Sequence, residues 1–492
     1  MEGKIYNRRN RTRMVLVYLS VYFAYLAISR VVPLVHAMTD PVDALISSAM
    51  AGFGVLLLVQ DLFTDRYAFK SRYWYVLVAF MVVLGLSSLT NIRYGMVDNL
   101  KTMVWTCIHL FLVYSIVPRL GGKKGERFVR RVLWGIGALW TVCVLISVAQ
   151  YVFQISYREM MHADLWKRQG FVDNRLFGLF SDPNAAALMS ICLVFAIIYL
   201  METDKCVWKR CIGVGAVVLH CAYIILSGSR TAVICLLIGA AVKTALAVWN
   251  FCCGKGFRAW RTAVYIVAGV AVFSAVFAGI YGLAKQGLAY VPQLVEKTGV
   301  QEILPQEPEG LLPGMPQVKP GDPTSEEPND AESMFQREDV REDNILNNRQ
   351  NIWKGYLDSL HGVKWIFGLS PRNAVSYITQ NQPDNYIAKS GYIAHSDYIA
   401  VVAYTGLAGV AVVLFFGALA AVFVFRKLRE QKRCSSFYMM VLVCLCSMGV
   451  FAVSYMDILF CNTITGVLFW TMVSVVLNDS REGQSNERGR ME

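Results

Sequence analysis

Charged residues are scarce in this chain of 492 residues, of which only 17% are charged and 55% are hydrophobic. In soluble globular domains, roughly a quarter of all residues are charged. Apolar runs of about 20 residues recur along most of the length, and a run of that size can cross a bilayer as a helix. The composition therefore excludes a soluble domain and predicts a protein that crosses a membrane many times.

Paired cysteine motifs are also missing, although the chain has 13 cysteines. No CxxC pair occurs, nearly all cysteines fall in or beside apolar segments, and none lies between residues 254 and 433. Cysteines in such positions act as small apolar side chains. We therefore expect no disulfide in the largest loop and no metal site.

The net charge of +12 would suit a nucleic-acid partner, but the positions of the basic residues argue against one. Lysine and arginine cluster in short loops between apolar runs, as they do on the cytoplasmic side of membrane proteins. We therefore expect that the chain has no nucleic-acid partner and that it contacts the lipid bilayer.

The apolar runs predict an all-α polytopic membrane protein with about twelve transmembrane helices. The predicted spans are 14–36, 44–63, 73–90, 100–118, 132–153, 183–200, 211–227, 231–249, 262–284, 397–425, 436–456 and 458–477. Seven loops on one side of these spans carry 28 of the 47 lysines and arginines, whereas five short loops on the other side carry six. This asymmetry predicts that both termini are cytoplasmic.

The predicted topology divides the chain into four parts. These are residues 1–284 with spans one to nine, residues 285–396 as one large extracytoplasmic loop, residues 397–477 with spans ten to twelve, and residues 478–492 as a cytoplasmic tail. The large loop is placed outside by the order of the spans, since long loops are translocated with little regard to charge.

The large outer loop has two distinct compositions. Residues 301–343 hold 12 acidic residues and half of the prolines of the chain, a composition that cannot bury a core and predicts disorder. Residues 344–360 predict a helix, because apolar residues recur there at helical spacing. The residues expected to share one face are Ile345, Ile352, Tyr356 and Leu360.

The sequence LSGSRTAVI, residues 226–234, interrupts a long apolar stretch with one arginine. A single helix over residues 211–249 would be about 58 Å long, far more than the roughly 30 Å core of a bilayer. The chain must therefore turn, and Gly228 between two serines suits a tight turn. The turn places Arg230 on the outer side, at the start of the eighth span.

Three outer residues are candidates for chemistry on an anionic substrate. Arg230 has two possible roles. It could be an interfacial arginine that contacts lipid, or it could form a phosphate site together with Ser229 and the N–H groups of its helix. Arg349 suits either a solvated helix face or a second anion-binding group, and Trp353 would share that face. His395 stands where the outer loop enters the tenth span, either as an interfacial residue or as a proton acceptor.

The segment FGLFSDPNAAALMS, residues 177–190, is interpreted first as a helix start. Ser181 or Asp182 would cap the sixth span, with proline in its first turn. Asn184 follows the cap, and Arg175 is one of several basic residues that would add positive potential before it. The same segment could therefore also face an anionic substrate.

The remaining outer candidates are weaker. Arg372, in SPRN, is more typical of a charge in a loop than of a binding group. Asp40 and Asp43 in the first outer loop would suit a metal-dependent glycosyltransferase, but two acidic residues without further ligands are a weak signal.

Five segments of the chain resemble, in the same order, the O-antigen ligase and polymerase family of bacterial membrane glycosyltransferases. They read FGLFSDPNAAALMS, LSGSRTAVICLLIGA, RQNIWKGYLDSL, WIFGLSPRN and AHSDYIAVVAYTGLAGVAVVLFFG, and they lie within residues 177–425. The twelve predicted spans with one large outer loop also match the usual arrangement of this family. The resemblance implies a GT-C-like fold.

The resemblance implies an enzyme that acts on the outer face of the cytoplasmic (inner) membrane of a bacterium. Such an enzyme transfers a glycan from an undecaprenyl-pyrophosphate carrier onto a hydroxyl of a glycan, lipid or cell-wall acceptor, without a metal, nucleotide or other cofactor. The resemblance assigns catalytic roles to Arg230, Arg349 and His395. The candidates for binding the pyrophosphate or the glycan are Arg230, Arg349, Ser229, Trp353, Arg372, Asn184 and Arg175.

Two residues depart from the pattern of the family. Ser396 stands where many members have asparagine after the histidine, and Ser370 replaces the second glycine of a common GLG turn. The acidic, proline-rich insertion at residues 301–343 is unusual as well. These departures leave the general chemistry intact and affect the expected identity of the acceptor.

Three alternatives stay open at this point. A polymerase of the same family would join repeat units to each other. A transporter of a small anion or saccharide would place ionisable residues at mid-membrane, whereas Arg30, Lys243 and Asp61 lie toward the ends of spans. An inactive scaffold for envelope assembly is disfavoured by the intact set of two arginines and one histidine.

Overall fold

The computed structural model describes residues 2–37, 40–162, 165–296 and 349–478. In these ranges nine helices are long and apolar enough to cross a membrane, and three further apolar helices are shorter. Each of the twelve overlaps one predicted span. The prediction of a helical, polytopic membrane protein is therefore confirmed, while the crossing of the bilayer by the three shorter helices stays a prediction.

The helices have the following bounds. They are α1 (Glu2–Ile28), α2 (Val32–Ala37), α3 (Asp40–Phe63), α4 (Tyr67–Lys70), α5 (Trp74–Thr90), α6 (Val97–Cys107), α7 (Ile116–Leu120), α8 (Gly122–Val152), α9 (Pro183–Thr203), α10 (Val207–Leu226), α11 (Arg230–Gly254), α12 (Ala259–Glu296), α13 (Arg349–Asp358), α14 (Lys364–Phe367), α15 (Ala374–Asn381), α16 (Tyr386–Ser390), α17 (Asp397–Gln431), α18 (Ser436–Phe451) and α19 (Ile464–Asn478). A 3-10 turn (Ile92–Tyr94) precedes α6, and a π-helical turn (Ile108–Val113) follows it.

A small antiparallel sheet between α8 and α9 adds to the helical fold that the sequence predicts. Its strands, in spatial order, are β1 (Ser156–His162), β2 (Leu165–Val172) and β3 (Arg175–Gly178). Asp173 and Asn174 join β2 to β3, with φ angles of 53° and 55°. Aspartate and asparagine tolerate this left-handed conformation, which two-residue hairpin turns require.

The core of the bundle lies around α9, α18 and α19. In α9, 72% of an apolar stretch of 18 residues is buried, whereas none of the corresponding stretch of α12 is buried. The exposed apolar side chains of α12 suit contact with lipid, because the outward face of a membrane-spanning helix contacts hydrocarbon and not water. The helix also extends to Glu296, past the predicted end of the ninth span at residue 284.

The largest difference from the predicted topology lies between the last two helices. The sequence predicts a turn at residue 457 alone, whereas α18 ends at Phe451 and α19 begins at Ile464. We call residues 452–463 the hub loop. Its sequence, AVSYMDILFCNT, is mostly apolar, and this composition predicts that the neighbouring helices continue. The backbone of the hub loop is instead irregular.

Candidate active site

Contacts between distant segments gather at one end of the helix bundle, which we call the site end. The Ser181 N–H donates to the Arg30 carbonyl at 3.2 Å, and the Ser454 hydroxyl donates to the Thr231 hydroxyl at 2.8 Å. The Asp397 N–H, at the start of α17, donates to a hub-loop carbonyl at 2.9 Å. All these segments are loops, or ends of spans, that the charge pattern predicts for the outer side.

The Ser227–Arg230 turn at the site end has the conformation that the sequence predicts. Gly228 has a φ of +64°, a region that costs an L-residue roughly 1–2 kcal/mol. The Ser229 hydroxyl accepts a hydrogen bond from the Ala232 N–H at 3.3 Å and so caps α11. Arg230 is the first residue of α11 and is exposed, so the residue stands at the positive end of the helix dipole.

Asp397 fixes the hub loop, a role that was not predicted from the sequence. Its carboxylate accepts hydrogen bonds from three consecutive backbone N–H groups, residues 457, 458 and 459, at 3.1, 3.1 and 3.2 Å. The carboxylate is buried, with 3% of the residue exposed. No local sequence signal pointed to this role, because the three N–H groups lie 60 to 62 positions further along the chain.

His395 lies directly before the cap of α17, in a strained conformation. Its φ is +49°, which is uncommon for any residue other than glycine, and such strain is concentrated at functional sites. The next residue, Ser396, caps α17 and donates its hydroxyl to the Ala452 carbonyl at 3.2 Å. The hub loop therefore holds the backbone that carries the imidazole.

Two charges of opposite sign act on the half-buried His395 ring. Burial lowers the pKa of His395 below its ordinary value of 6.5, and the positive charge of Arg349 lowers this pKa further. The negative charge of Asp182 opposes both effects on the pKa. The imidazole is therefore mainly neutral at neutral pH, which is the form that accepts a proton.

The helix that begins with Arg349 packs directly against the segment before His395. The predicted apolar face of this helix is buried at Ile352, Tyr356 and Leu360, while Ile345 lies outside the described residues. The Tyr356 hydroxyl donates to the Tyr392 carbonyl at 2.8 Å. This contact holds α13 next to the Tyr392–His395 segment and explains why the charge of Arg349 reaches the imidazole.

Trp353, on the same helix, is half-buried. In the part of the chain that the structure describes, its buried indole N–H has no hydrogen-bond partner. A buried donor without a partner costs free energy, so this N–H is a candidate for binding an oxygen atom of a substrate.

Asp182 confirms the predicted cap and carries a second contact. One carboxylate oxygen accepts the Asn184 N–H at 2.7 Å, which caps α9. The other oxygen accepts a hydrogen bond from the Tyr455 hydroxyl in the hub loop. The cap is therefore also a link between α9 and the hub loop.

Arg30 and Asp457 are members of the site that sequence reasoning missed. The Arg30 guanidinium donates to a carboxylate oxygen of Asp457 at 2.8 Å. The other oxygen of Asp457 has no partner within the described ranges. Burial raises the pKa of Asp457, and the charge of Arg30 opposes this change of the pKa.

Arg372 faces the hub loop from another direction. Its backbone N–H donates to the Asn99 side chain at 3.0 Å and its Nε to the Thr102 hydroxyl at 3.3 Å. Burial raises the pKa of the Cys461 thiol in the hub loop to about 12, and the charges of Arg372 and Arg30 oppose this rise of the pKa. Arg372 is exposed, so the rest of its guanidinium is accessible.

The departure at Ser370 has a local structural explanation. Ser370 adopts a φ of +60°, a backbone conformation that glycine adopts with less steric strain than any other residue. Its N–H donates to the Tyr404 carbonyl at 3.1 Å, which is available because α17 is kinked at Gly406. Asn99 also donates to the Ser370 hydroxyl at 3.2 Å, and this bond compensates for part of the strain.

Arg175 and Asn184 come together at the Ser227–Arg230 turn, where they bind each other. Arg175 is buried, with 7% exposed, and donates to the Ser227 carbonyl and to the Asn184 side chain, both at 3.0 Å. These two N–H groups therefore face the protein and not a substrate.

The acidic residues considered for a metal begin a helix. Asp40 and Asp43 lie in the first turn of α3, and Asp43 accepts a hydrogen bond from the Tyr25 hydroxyl at 2.9 Å. Across residues 2–37, 40–162, 165–296 and 349–478, no three His, Cys, Asp or Glu side chains are grouped as a metal site.

These features define a polytopic, helical membrane protein in which Arg349 and His395 lie close enough for the charge of the arginine to act on the imidazole. Residues 215–414 match the family model described as O-antigen ligase. The match confirms, over this segment, the resemblance seen in the sequence, and the segment includes Arg230, Arg349 and His395. No curated protein matches the chain.

Proposed function

We propose that the protein is a metal-independent, inverting glycosyltransferase. It moves a glycan from an undecaprenyl-pyrophosphate carrier to an acceptor hydroxyl on the outer face of the cytoplasmic membrane. The observation that carries this proposal is the O-antigen ligase match, because its segment includes Arg230, Arg349 and His395. The effect of the Arg349 charge on the pKa of His395 supports a shared site for the last two.

The leaving diphosphate requires positive charge. Negative charge accumulates on it as the bond between the anomeric carbon and the phosphate oxygen breaks. Arg230, with the N–H groups at the start of α11, and Arg349 would stabilise this charge through charge-assisted hydrogen bonds. A preorganised donor of this kind contributes about 2.7–4 kcal/mol to lowering the barrier.

The acceptor hydroxyl must lose a proton as it attacks the anomeric carbon. His395 is suited to take it, because burial and Arg349 hold the pKa of this histidine below the ordinary value. The new carbon–oxygen bond forms as the diphosphate departs with the bonding electron pair, and the proton moves to the imidazole. A single displacement of this type inverts the configuration of the anomeric carbon.

Trp353 and Arg372 would bind substrate around these groups. The indole N–H of Trp353 lacks a partner among the described residues, which suits a hydrogen bond to a sugar or phosphate oxygen. The exposed Arg372 suits the phosphates or an acidic sugar. The cap that Ser229 provides keeps the start of α11, and thus Arg230, in place.

The test is a transfer assay with purified, reconstituted protein and a lipid-linked glycan donor. Arg230→Ala, Arg349→Ala and His395→Ala should each lower the rate about 100-fold or more. Arg93→Ala and His361→Ala are matched controls, because both residues are exposed and belong to loops predicted for the outer side. Near-normal transfer by the first three variants would refute the assignment, and activity should persist in EDTA.

A polymerase of the same family is the alternative reaction, since the O-antigen ligase match and the same three residues suit both. The product distinguishes them: a ligase yields a capped acceptor, whereas a polymerase yields a longer lipid-linked chain. A transporter would instead accumulate a small anion or saccharide in proteoliposomes that contain no lipid-linked glycan.

A further inference from the structure

Arg175 lies at the junction of three elements of the site end. It is the first residue of β3, and it contacts both the Ser227–Arg230 turn and the start of α9. We propose that Arg175 is a positioning residue, which clamps the turn onto α9 and thereby sets where the Arg230 guanidinium lies. The consequence for catalysis rests on the proposed function, whereas the clamp itself does not.

The Arg175 guanidinium joins the Ser227–Arg230 turn to the start of α9 through two hydrogen bonds. Its Nε donates to the Ser227 carbonyl, which follows α10 and is fully buried, and its Nη2 donates to the Asn184 side chain. Carbonyls at the end of a helix lack partners within the helix, so this contact satisfies a group that would otherwise be costly to bury. A lysine has one point charge and cannot span both acceptors in this geometry.

The stem of Arg175 packs against the one position of the turn that has no side chain. A Cβ atom added at Gly228 would lie 3.1 Å from Cγ of Arg175, which is closer than most carbon contacts. Gly228 also has a positive φ. The glycine of the SGSR sequence therefore serves two purposes, since it allows the turn and it admits the arginine stem.

The other end of the clamp is anchored to the framework that holds His395. The Asn184 N–H is bound by Asp182, which also accepts the Tyr455 hydroxyl of the hub loop. The hub loop in turn binds the Ser396 hydroxyl. Arg175 therefore connects the turn that carries Arg230 to the same set of contacts that fixes the proposed proton acceptor.

Arg168 provides a matched control within the same sheet. Its guanidinium lies over the Phe177 ring at 5.7 Å, the same distance as that of Arg175. Its ion pair at 2.9 Å is to Asp173, within the hairpin. Arg168→Gln therefore removes a guanidinium that contacts the Phe177 ring, but it removes no hydrogen bond to the Ser227–Arg230 turn.

Hydrogen exchange measured by mass spectrometry tests the clamp without reference to activity. In Arg175→Lys and Arg175→Gln, the amides of residues 228–232 should exchange about 10-fold faster or more than in the wild-type protein, because the turn loses a hydrogen bond to a charged group. The Arg168→Gln variant should match the wild type. Unchanged exchange of the turn in both Arg175 variants would overturn the proposal, and melting in detergent identifies a variant that has simply unfolded.

A double-variant comparison tests whether Arg175 acts through Arg230. Arg175→Lys should lower kcat about 100-fold in a wild-type background, since a displacement of about 1 Å of a reacting group has this effect. It should cause little further loss when Arg230 is already alanine, because groups that act as a unit are not additive. An equal loss in both backgrounds would contradict the positioning role. Normal transfer by Arg230→Ala would instead refute the proposed function, with the exchange result unaffected.

Discussion

The anchoring of the hub loop by one carboxylate leads to a quantitative prediction. Asp397→Ala removes the acceptor of three backbone N–H groups at residues 457–459. A hydrogen bond to a charged group contributes about 1.5–3 kcal/mol, and a buried donor left without a partner costs about 1–3 kcal/mol. Each of these amides should therefore become easier to expose by roughly 1.5–3 kcal/mol, which corresponds to about 10- to 150-fold faster hydrogen exchange.

The assay is amide hydrogen exchange on the purified protein in detergent, followed at peptides covering the hub loop. Asp204→Asn is the control, because Asp204 also accepts a backbone N–H, from Cys206 at 3.0 Å, but in an exposed turn between α9 and α10. The control should leave exchange at residues 457–459 unchanged. Exchange at these amides that is the same in Asp397→Ala and wild type would refute the anchoring of the hub loop by Asp397.

Three further predictions concern charged residues at the site end. Arg349→Gln removes a charge that lowers the pKa of His395, so this pKa should rise. Carbethoxylation of His395 requires the neutral ring, so the midpoint of its rate against pH should shift to higher pH. Asp182→Asn keeps the helix cap but removes the opposing charge, so the same midpoint should shift downward, and a shift in the opposite direction in either variant would contradict the arrangement. Arg30→Met leaves the buried Asp457 without its partner and should destabilise the protein by about 3–5 kcal/mol, whereas adding Asp457→Leu should restore much of the loss in melting temperature in detergent.

The parts of the site that depend on local sequence were predictable. The turn before Arg230 follows from the length of the apolar run, and the cap at Asp182 follows from the residue types next to a helix start. The buried face of α13 follows from helical spacing. In each case the deciding interaction lies within a few residues along the chain.

The parts that depend on distant segments were not predictable. Arg30 and Asp457 pair across 427 positions of sequence, and neither has a neighbouring residue that would reveal the partner. The hub loop was predicted as the ends of two helices because its apolar composition conceals an irregular backbone that Asp397 stabilises. The sheet before α9 was missed for a related reason, since the pairing of β1 with β2 decides its conformation.

The central claim is that one cationic site with a histidine base transfers a lipid-linked glycan. The most direct measurement compares donor binding and single-turnover transfer for His395→Ala in proteoliposomes that contain the lipid-linked donor and an acceptor. We predict that the variant binds the donor as the wild type does, because Arg230 and Arg349 are intact, and that it transfers the glycan about 10²- to 10⁴-fold more slowly. Transfer at the wild-type rate would contradict the claim.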